Sequence, residues 1–260
     1  MKKIFALFLI SLMILSCFAG CGGKDSDSDL TYIKDKGVLI VGITDYAPMD
    51  FLDENGQWTG FDAEFARLVA KELDVDVEFF VIADWGKKVF ELDSKNIDCI
   101  WNGMTIDDEL LKTTSVSDPY VINAQVVVMK ADQVGAYPDA ASLAGLTVAV
   151  ESSSAGQKAA KAAGITDIVE VQYQSNALME VAAGTADACV IDITMAKNMT
   201  GEGTSYDNLA VGPTLTSEEY GIGFRKGSDI TAKVNEIMKK FMEDGTLAAL
   251  AEKYELTLAK

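Results

Sequence analysis

The chain has 260 residues, of which 49% are hydrophobic, and this content suits a packed core in one large or two small domains. Its formal net charge of −18 repels nucleic-acid phosphates and anionic lipid headgroups, which excludes nucleic acid as a partner and charge-driven docking to membranes. The chain contains no histidine, so Ser-His-Asp and Cys-His catalysis are excluded, and we expect neither a metal nor a cofactor.

The N-terminus has the pattern of an export signal. A basic start at Lys2 and Lys3 precedes a short apolar run from Ile4 to Leu15, and small residues follow this run. The run is too short and too soon interrupted for a settled membrane span. We therefore predict that residues 1–20 are a signal peptide.

The residues that follow predict a lipid anchor. The sequence FAGC, which ends at Cys21, resembles the lipobox of bacterial lipoproteins, in which the cysteine is diacylated and becomes the mature N-terminus. Phe18 departs from the usual leucine of that motif, and ordinary export with a free thiol is the alternative. With Cys21 acylated, residues 21–30 form a flexible tether that holds the fold at the extracytoplasmic face of the cell membrane.

Strand-like and helix-like segments alternate after the tether. Predicted strands cover residues 38–44, 76–82, 97–101, 124–130, 146–150, 167–172, 187–191 and 220–226. Predicted helices cover residues 60–73, 85–93, 155–163, 175–183, a segment from about 193, 229–243 and 246–254. Two successive β-α-β-α-β runs predict an α/β fold of two lobes, each a mainly parallel sheet flanked by helices. Ligands of such folds bind beyond the carboxyl ends of the strands, here in the cleft between the lobes.

Two cysteines lie inside these strands. Cys99 and Cys189 each belong to an apolar run, and we expect both to be small buried side chains. A disulfide between them is the alternative in an exported protein.

Polar or aromatic residues cluster where predicted strands end. They are Asp45 and Tyr46, then Trp85, then Asn102, Gly103 and Thr105, then Ser154, Ala155 and Gly156, and finally Asp192. Ser154 and Gln157 have the spacing of a capping box, and the free N–H groups that follow Ser154 would seat a carboxylate or a phosphate. Ser154 either caps its helix only or also contacts a ligand. Asp192 either caps the next helix or faces the cleft, and Trp85 either belongs to the core or walls a pocket.

Residues 38–254 resemble the extracytoplasmic solute-binding proteins of polar amino acid ABC importers. The segments that carry the resemblance are DYAPMDFLDENGQWTGFDAEFA, IDCIWNGMTI, SDPY, LAGLTVAVESSSAGQ, GTADACVID and YGIGFRKG, in this order. The resemblance implies two lobes joined by two crossing strands near residues 124–130 and 216–222, which close on a ligand by a hinge motion. It implies a first lobe of residues 31–124 and 220–260 and a second lobe of residues 125–219.

The resemblance also implies ligand contacts. Tyr46 and Trp85 would pack on the two sides of the ligand. Asn102, Gly103 and Thr105 would bind its ammonium and carboxylate groups. Ser154 with the backbone of Ala155 and Gly156 would seat the carboxylate, and Asp192 would pair with the ammonium. From its place after the first strand, and not from the resemblance, we also expect Asp45 to contact the ligand.

The sequence departs from the family pattern at three places. Leu110 occupies the position of an arginine that clamps the ligand carboxylate, acids occupy 107–109, and Ser153 replaces a glycine. The helix at 154–156 then holds the carboxylate alone, or Lys112 replaces the arginine, or the ligand is an amine without an α-carboxylate. The acids favour a ligand with spare positive charge, or they only favour a helix N-terminus, with Thr105 and Asp108 in capping spacing.

We therefore expect a monomeric, lipid-anchored receptor that delivers an amino acid or a related amine to an ABC permease, and not an enzyme. Three alternatives use the same fold. They are a cyclic-acid dehydratase with carboxylates such as Asp45 or Asp192 as acid and base, a sensor domain, and a surface adhesin that has lost its ligand.

Overall fold

The computed structural model describes residues 28–260, so the predicted signal peptide and Cys21 lie outside the described residues. The helices are α1 (Asp29–Lys36), α2 (Phe61–Leu73), α3 (Lys88–Asp93), α4 (Asp108–Thr113), α5 (Ala155–Ala162), α6 (Gln174–Ala183), α7 (Ile193–Met199), α8 (Ile230–Glu243) and α9 (Thr246–Lys253). The strands are β1 (Val38–Ile43), β2 (Phe51–Leu52), β3 (Trp58–Thr59), β4 (Asp76–Val81), β5 (Cys99–Ile100), β6 (Thr114–Val116), β7 (Val121–Asn123), β8 (Gln125–Lys130), β9 (Val148–Glu151), β10 (Ile168–Val171), β11 (Ala188–Asp192), β12 (Leu209–Thr214), β13 (Glu218–Tyr220) and β14 (Gly223–Arg225). Within this range, no helix has the length and apolar character needed to cross a membrane.

Two five-stranded sheets form the centres of two lobes. The first sheet has the order β4-β1-β5-β14-β6, and the second has the order β10-β9-β11-β8-β12. In the first sheet β1 pairs in parallel with β4 and β5, and in the second β9 pairs in parallel with β10 and β11. The predicted α/β architecture of two lobes is confirmed.

Each sheet is mainly parallel, as predicted, because four of its five strands run in the same direction and one runs against them. β14 runs antiparallel to β5 and β6, and β8 runs antiparallel to β11 and β12. In the second sheet, the opposite direction of β8 follows from the side at which the chain enters the sheet. The parallel strands end at the cleft, whereas β8 starts there, so that Gln125 at its beginning lies opposite Asp192 at the end of β11.

A two-stranded ribbon connects the lobes. β7 pairs antiparallel with β13, with Asn123 opposite Glu218. The first crossing was expected near residues 124–130, but that segment is β8 and belongs to the second sheet. The predicted lobe boundaries after residues 124 and 219 fall beside and within this ribbon.

The expected tether overlaps the folded part of the chain. Helix α1 begins at Asp29 behind its N-cap, Ser28, whose hydroxyl accepts a hydrogen bond from the N–H of Thr31 at 3.0 Å. Asp29 is buried and its carboxylate accepts hydrogen bonds from Arg225 at 3.0 Å. The pairing with a buried arginine fixes residues 28–30, which the polar composition of the segment does not reveal.

Helices cover the sheets with the faces that their sequences predict. In α2 the residues Phe61, Phe65, Val69 and Leu73 are buried, as their 3.6-residue spacing requires, and Leu68 is half-buried beside them. Cys99 and Cys189 are free and fully buried in different sheets, as the apolar interpretation predicts. The fold therefore turns the carboxyl ends of β1, β5, β9 and β11 toward one cleft.

Candidate functional site

A cavity of about 550 Å³ lies between the lobes, at the carboxyl ends of the parallel strands. Nine of the ten predicted ligand-binding residues line it: Asp45, Tyr46, Trp85, Asn102, Gly103, Thr105, Ser154, Ala155 and Asp192. Other polar residues that line the cavity are Lys88, Asp107, Glu109, Gln125, Glu151, Gln157, Lys158, Lys161 and Gln174. The sequence rule that places sites beyond strand ends thus locates the cavity.

Asp192 is a buried carboxylate at the wall of the cavity, 3% exposed. It occupies the N-cap position of α7, yet its side chain makes no cap hydrogen bond. Its carboxylate instead accepts hydrogen bonds from Asn123 at 2.7 Å, from Gln174 at 2.5 Å and from Gln125. Burial raises the pKa of Asp192, and these amide donors oppose the rise. The side chain therefore faces the cleft rather than its own helix.

Two aromatic residues line the cavity. Tyr46 is buried, and its hydroxyl makes hydrogen bonds to Thr194 of the second lobe at 2.6 Å and to Tyr220 at 2.5 Å. Trp85 packs in an apolar cluster that includes Leu110 and also lines the cavity, so both interpretations of this tryptophan hold.

The segment after β5 connects the cavity to the first lobe and to the ribbon. The Asn102 side chain exchanges two hydrogen bonds of 2.7 Å with Thr44, which ties the ends of β1 and β5 together. The N–H of Gly103 donates to Asp62 at 2.6 Å, and its φ of 56° and a Cβ approach of 2.5 Å to the Tyr46 ring require glycine. Thr105 donates to Glu218 at 2.8 Å.

The N-terminus of α5 faces the cavity. The Ser154 hydroxyl accepts from the N–H of Gln157 at 3.0 Å, as the capping box predicts, while the Gln157 amide accepts from Ser153 at 3.2 Å. Ser153 has a φ of 61°, the left-handed conformation for which a glycine is the usual residue. Ala155 lines the cavity, but Gly156 does not, because a Cβ there would lie 2.8 Å from the carbonyl oxygen of Val190.

The position of the missing arginine is apolar. Leu110 is 7% exposed and packs against Trp85, and the acids before it start α4. The N-cap is Asp107, which accepts from the N–H of Leu110 at 2.7 Å, and not Thr105. Lys112 does not line the cavity.

A lysine of the second lobe forms ion pairs with two of these acids, Asp107 and Glu109. The Nζ of Lys158 lies 2.7 Å from the Asp107 carboxylate and 2.9 Å from that of Glu109. This ion pair lowers the pKa of both carboxyl groups. Asp107 and Glu109 therefore contact the opposite lobe of the protein itself.

Two charged residues that sequence analysis missed line the cavity, are half-buried or buried, and have no ion-pair partner among residues 28–260. Lys88 donates to the main-chain oxygen of Trp85 at 3.2 Å, and its Nζ lies 4.7 Å from the centroid of that ring. Glu151 ends β9 and is 5% exposed. Burial lowers the pKa of Lys88 and raises that of Glu151 to about 8. Glu151 could have been predicted as a site residue, because it is a carboxylate at the end of the apolar strand sequence VAVE. Lys88 could not, because its sequence context is that of an ordinary surface lysine in a short helix.

The two lobes touch around the rim of the cavity. Gln172 of the second lobe donates to the main-chain oxygen of Ala83 at 2.9 Å. A Cβ at Gly86 would lie 2.9 Å from the Ser153 hydroxyl. Together with the Lys158 ion pair, these contacts describe a closed cleft.

Comparisons with known proteins agree with this geometry. The L-cystine-binding protein TcyJ of Escherichia coli is 30% identical over 95% of this chain and 94% of its own length. The crystal structure of the ancestral amino acid-binding protein AncCDT-1, a precursor of cyclohexadienyl dehydratase, is 34% identical with a TM-score of 0.80, over 87% of this chain and 99% of that one. The arginine-bound form of a truncated ArgBP from T. maritima is 30% identical with a TM-score of 0.73, over 82% and 99% of the two chains.

The family described as bacterial extracellular solute-binding proteins, family 3, matches residues 39–257. Because the match covers most of the chain, and the two lobes enclose a cavity where the strands end, the chain belongs to this family and is a solute-binding protein rather than an enzyme.

Proposed function

We propose that the protein captures an amino acid in the cavity between its lobes and delivers it to the membrane subunits of an ABC importer. One observation carries this proposal: the buried carboxylate of Asp192 and the N-terminus of α5 line the same cavity. A carboxylate suits the α-ammonium group, and a helix N-terminus suits the α-carboxylate. The relatives named above for L-cystine and arginine support this class of ligand.

Lys88 is our candidate for the positive charge that Leu110 does not supply. It belongs to the same lobe as Leu110, and both pack against or beside Trp85. Gly86, two residues earlier, approaches Ser153 at the start of α5. Lys88 and the first residues of α5 therefore line the cavity from its two lobes.

The remaining contacts follow from the lining of the cavity. Tyr46 and Trp85 would enclose the aliphatic part of the ligand, and Thr105 would add a hydroxyl. Gly103 would contribute through its carbonyl oxygen, because Asp62 already accepts from its N–H. Asp45 is exposed at the cavity and would stay beside the bound solute.

The membrane anchor is a further part of the proposal. Diacylation of Cys21 would hold a monomer at the extracytoplasmic face, with the polar residues before Ser28 as a spacer to the permease. Diacylation supplies two acyl chains, and stable membrane binding requires two such anchors.

Isothermal titration calorimetry with the twenty common L-amino acids and L-cystine tests the proposed function. We expect binding of one molecule per chain for at least one of them, and recovery of the unchanged solute by mass spectrometry. Asp192→Asn should weaken that binding by about a hundredfold, because a buried ammonium group loses its counter-charge.

Asp132 provides the matched control, since it is an exposed aspartate outside the cavity. Asp132→Asn should bind like the unmodified protein. If no amino acid binds, or if Asp192→Asn binds equally well, the proposed site is wrong.

A further inference from the structure

Glu151 is a buried carboxyl group in the cavity with no partner in the part of the chain that the structure describes. It lies at the carboxyl end of β9 and is 5% exposed. Among residues 28–260, no side chain or main-chain group donates a hydrogen bond to its carboxylate, and no lysine or arginine lies within ion-pair distance. Buried charged groups are normally paired, so an unpaired carboxylate that faces a cavity is suited to a ligand.

The other carboxylates of the cavity are already engaged or exposed. Asp107 and Glu109 contact Lys158, and Asp45 is exposed to solvent. Asp192 has three amide donors and is the counter-charge that we assign to the α-ammonium group. Glu151 is therefore left for a second cationic group of the same ligand.

We propose that Glu151 binds a cationic group on the side chain of the captured amino acid, so that the site selects amino acids with basic side chains. This inference depends on the proposed function, because it concerns the same cavity. Its physical basis is the difference in binding free energy between a ligand with a cationic side chain and one with a neutral side chain. A cation forms a charge-assisted hydrogen bond with Glu151, whereas a neutral side chain leaves the carboxyl group in its desolvated state.

Binding of a cation should also release a proton. Burial, with the charge of Asp192 as the second cause, raises the pKa of Glu151 to about 8, and Lys88 acts in the opposite direction. The carboxyl group is then mostly protonated at pH 7 in the empty cavity, and a bound cation favours its ionised form. Affinity for a basic amino acid should rise with pH up to about 8 and level off above it.

L-Arginine and L-citrulline are the probes, because they have nearly the same shape and differ in the charge at the end of the side chain. Calorimetry on the unmodified protein at pH 7 should give an affinity for L-arginine at least about tenfold higher than for L-citrulline. Titrations of L-arginine in buffers with different ionisation enthalpies should show release of about one proton per molecule bound.

Glu151→Gln is the test variant, and Glu170→Gln is its control. Glu170 is an exposed glutamate on the neighbouring strand β10 and does not line the cavity. Glu151→Gln should bring the two affinities within about twofold of each other and remove the proton release, and Glu170→Gln should change neither.

The outcomes separate this inference from the proposed function. Equal affinity of the unmodified protein for the two probes would overturn the role of Glu151 while amino acid capture stands. A preference for L-arginine that persists in Glu151→Gln would overturn it as well. If neither these probes nor any other amino acid binds, both proposals fail together.

Discussion

Lys88 shows how one side chain changes the chemistry that a family pattern implies. Most lysines avoid burial, because the charged form loses its hydration, and burial lowers the pKa of Lys88 accordingly. Its Nζ contacts one carbonyl oxygen and the face of Trp85, and no carboxylate of residues 28–260 lies within ion-pair distance. The remaining hydrogens of the ammonium group are therefore available to a ligand carboxylate.

Replacement of Lys88 tests this assignment. Lys88→Met keeps most of the length of the side chain and removes the charge, and we expect about ten- to a hundredfold weaker binding of the amino acid that binds most tightly to the unmodified protein. Lys88→Arg should retain most of the affinity, because it keeps the charge. Both effects are measured by calorimetry at pH 7.

The same amino acid with its α-carboxylate converted to an amide is the control ligand. The amide should bind more weakly than the amino acid, and its affinity should be the same for Lys88→Met as for the unmodified protein. The reason is that the amide lacks the negative charge that Lys88 would contact. Equal losses of affinity for both ligands would instead mean that Lys88 only supports the packing of Trp85.

At the scale of elements, helix α5 joins stability to binding through Ser154. The hydroxyl caps the helix, and the first N–H groups of the same helix face the cavity. Because the cap satisfies one N–H from inside, the helix end stays ordered without a ligand, and its dipole is directed at the carboxylate seat.

Two substitutions at Ser154 separate these roles. Ser154→Ala should lower the free energy of unfolding by about 1 kcal/mol, because the N–H of Gln157 loses its acceptor. Ser154→Asp should preserve stability, since aspartate is an equally good cap, yet weaken amino acid binding by at least about tenfold through repulsion of the ligand carboxylate. Urea denaturation and calorimetry measure the two effects, and unchanged binding in Ser154→Asp would exclude α5 as the carboxylate seat.

Elements with strong local patterns were predictable from sequence. β1 and β9 are runs of apolar β-branched residues, and α2 has a single apolar face, so both kinds of element follow from periodicity. β12 was missed because it contains Gly212 and Pro213, which argue against a strand unless the ladder is irregular, and its register does shift between Val211 and Thr214.

The site was predictable to the extent that strand ends define it. Asp192 is the last residue of β11, and Ser154 lies three residues after the end of β9, so topology brings them to one cavity. The pairing of Asp107 with Lys158 was not predictable, because it joins two lobes over 51 positions of sequence and depends on how the cleft closes. The three acids at 107–109 suggested a cationic ligand, and the structure assigns two of them to a lysine of the protein instead.

At the scale of the whole molecule, the Lys158 ion pair joins the two lobes across the cleft. Asp107 and Glu109 belong to the first lobe and Lys158 to the second, so opening of the cleft must separate them. The side chains of the lysine and of Glu109 are 53% and 78% exposed, so water and salt screen the attraction. Such a contact contributes at most about 1 kcal/mol to closure.

Lys158→Met should therefore shift the solute-free protein toward an open form without unfolding it. A loss of up to about 1 kcal/mol changes the ratio of open to closed molecules by at most about fivefold, and it lowers solute affinity by no more than the same factor. Small-angle X-ray scattering should show a larger radius of gyration for the variant at low salt, and added salt should reduce the difference from the unmodified protein. Lys197 is an exposed lysine of α7 in the second lobe that does not line the cavity and has no ion pair among the described residues, so Lys197→Met is the matched control. If both variants have the same radius of gyration as the unmodified protein at low salt, the ion pair does not contribute to closure, and the contacts of Tyr46 with Thr194 and of Gln172 with Ala83 suffice to hold the lobes together.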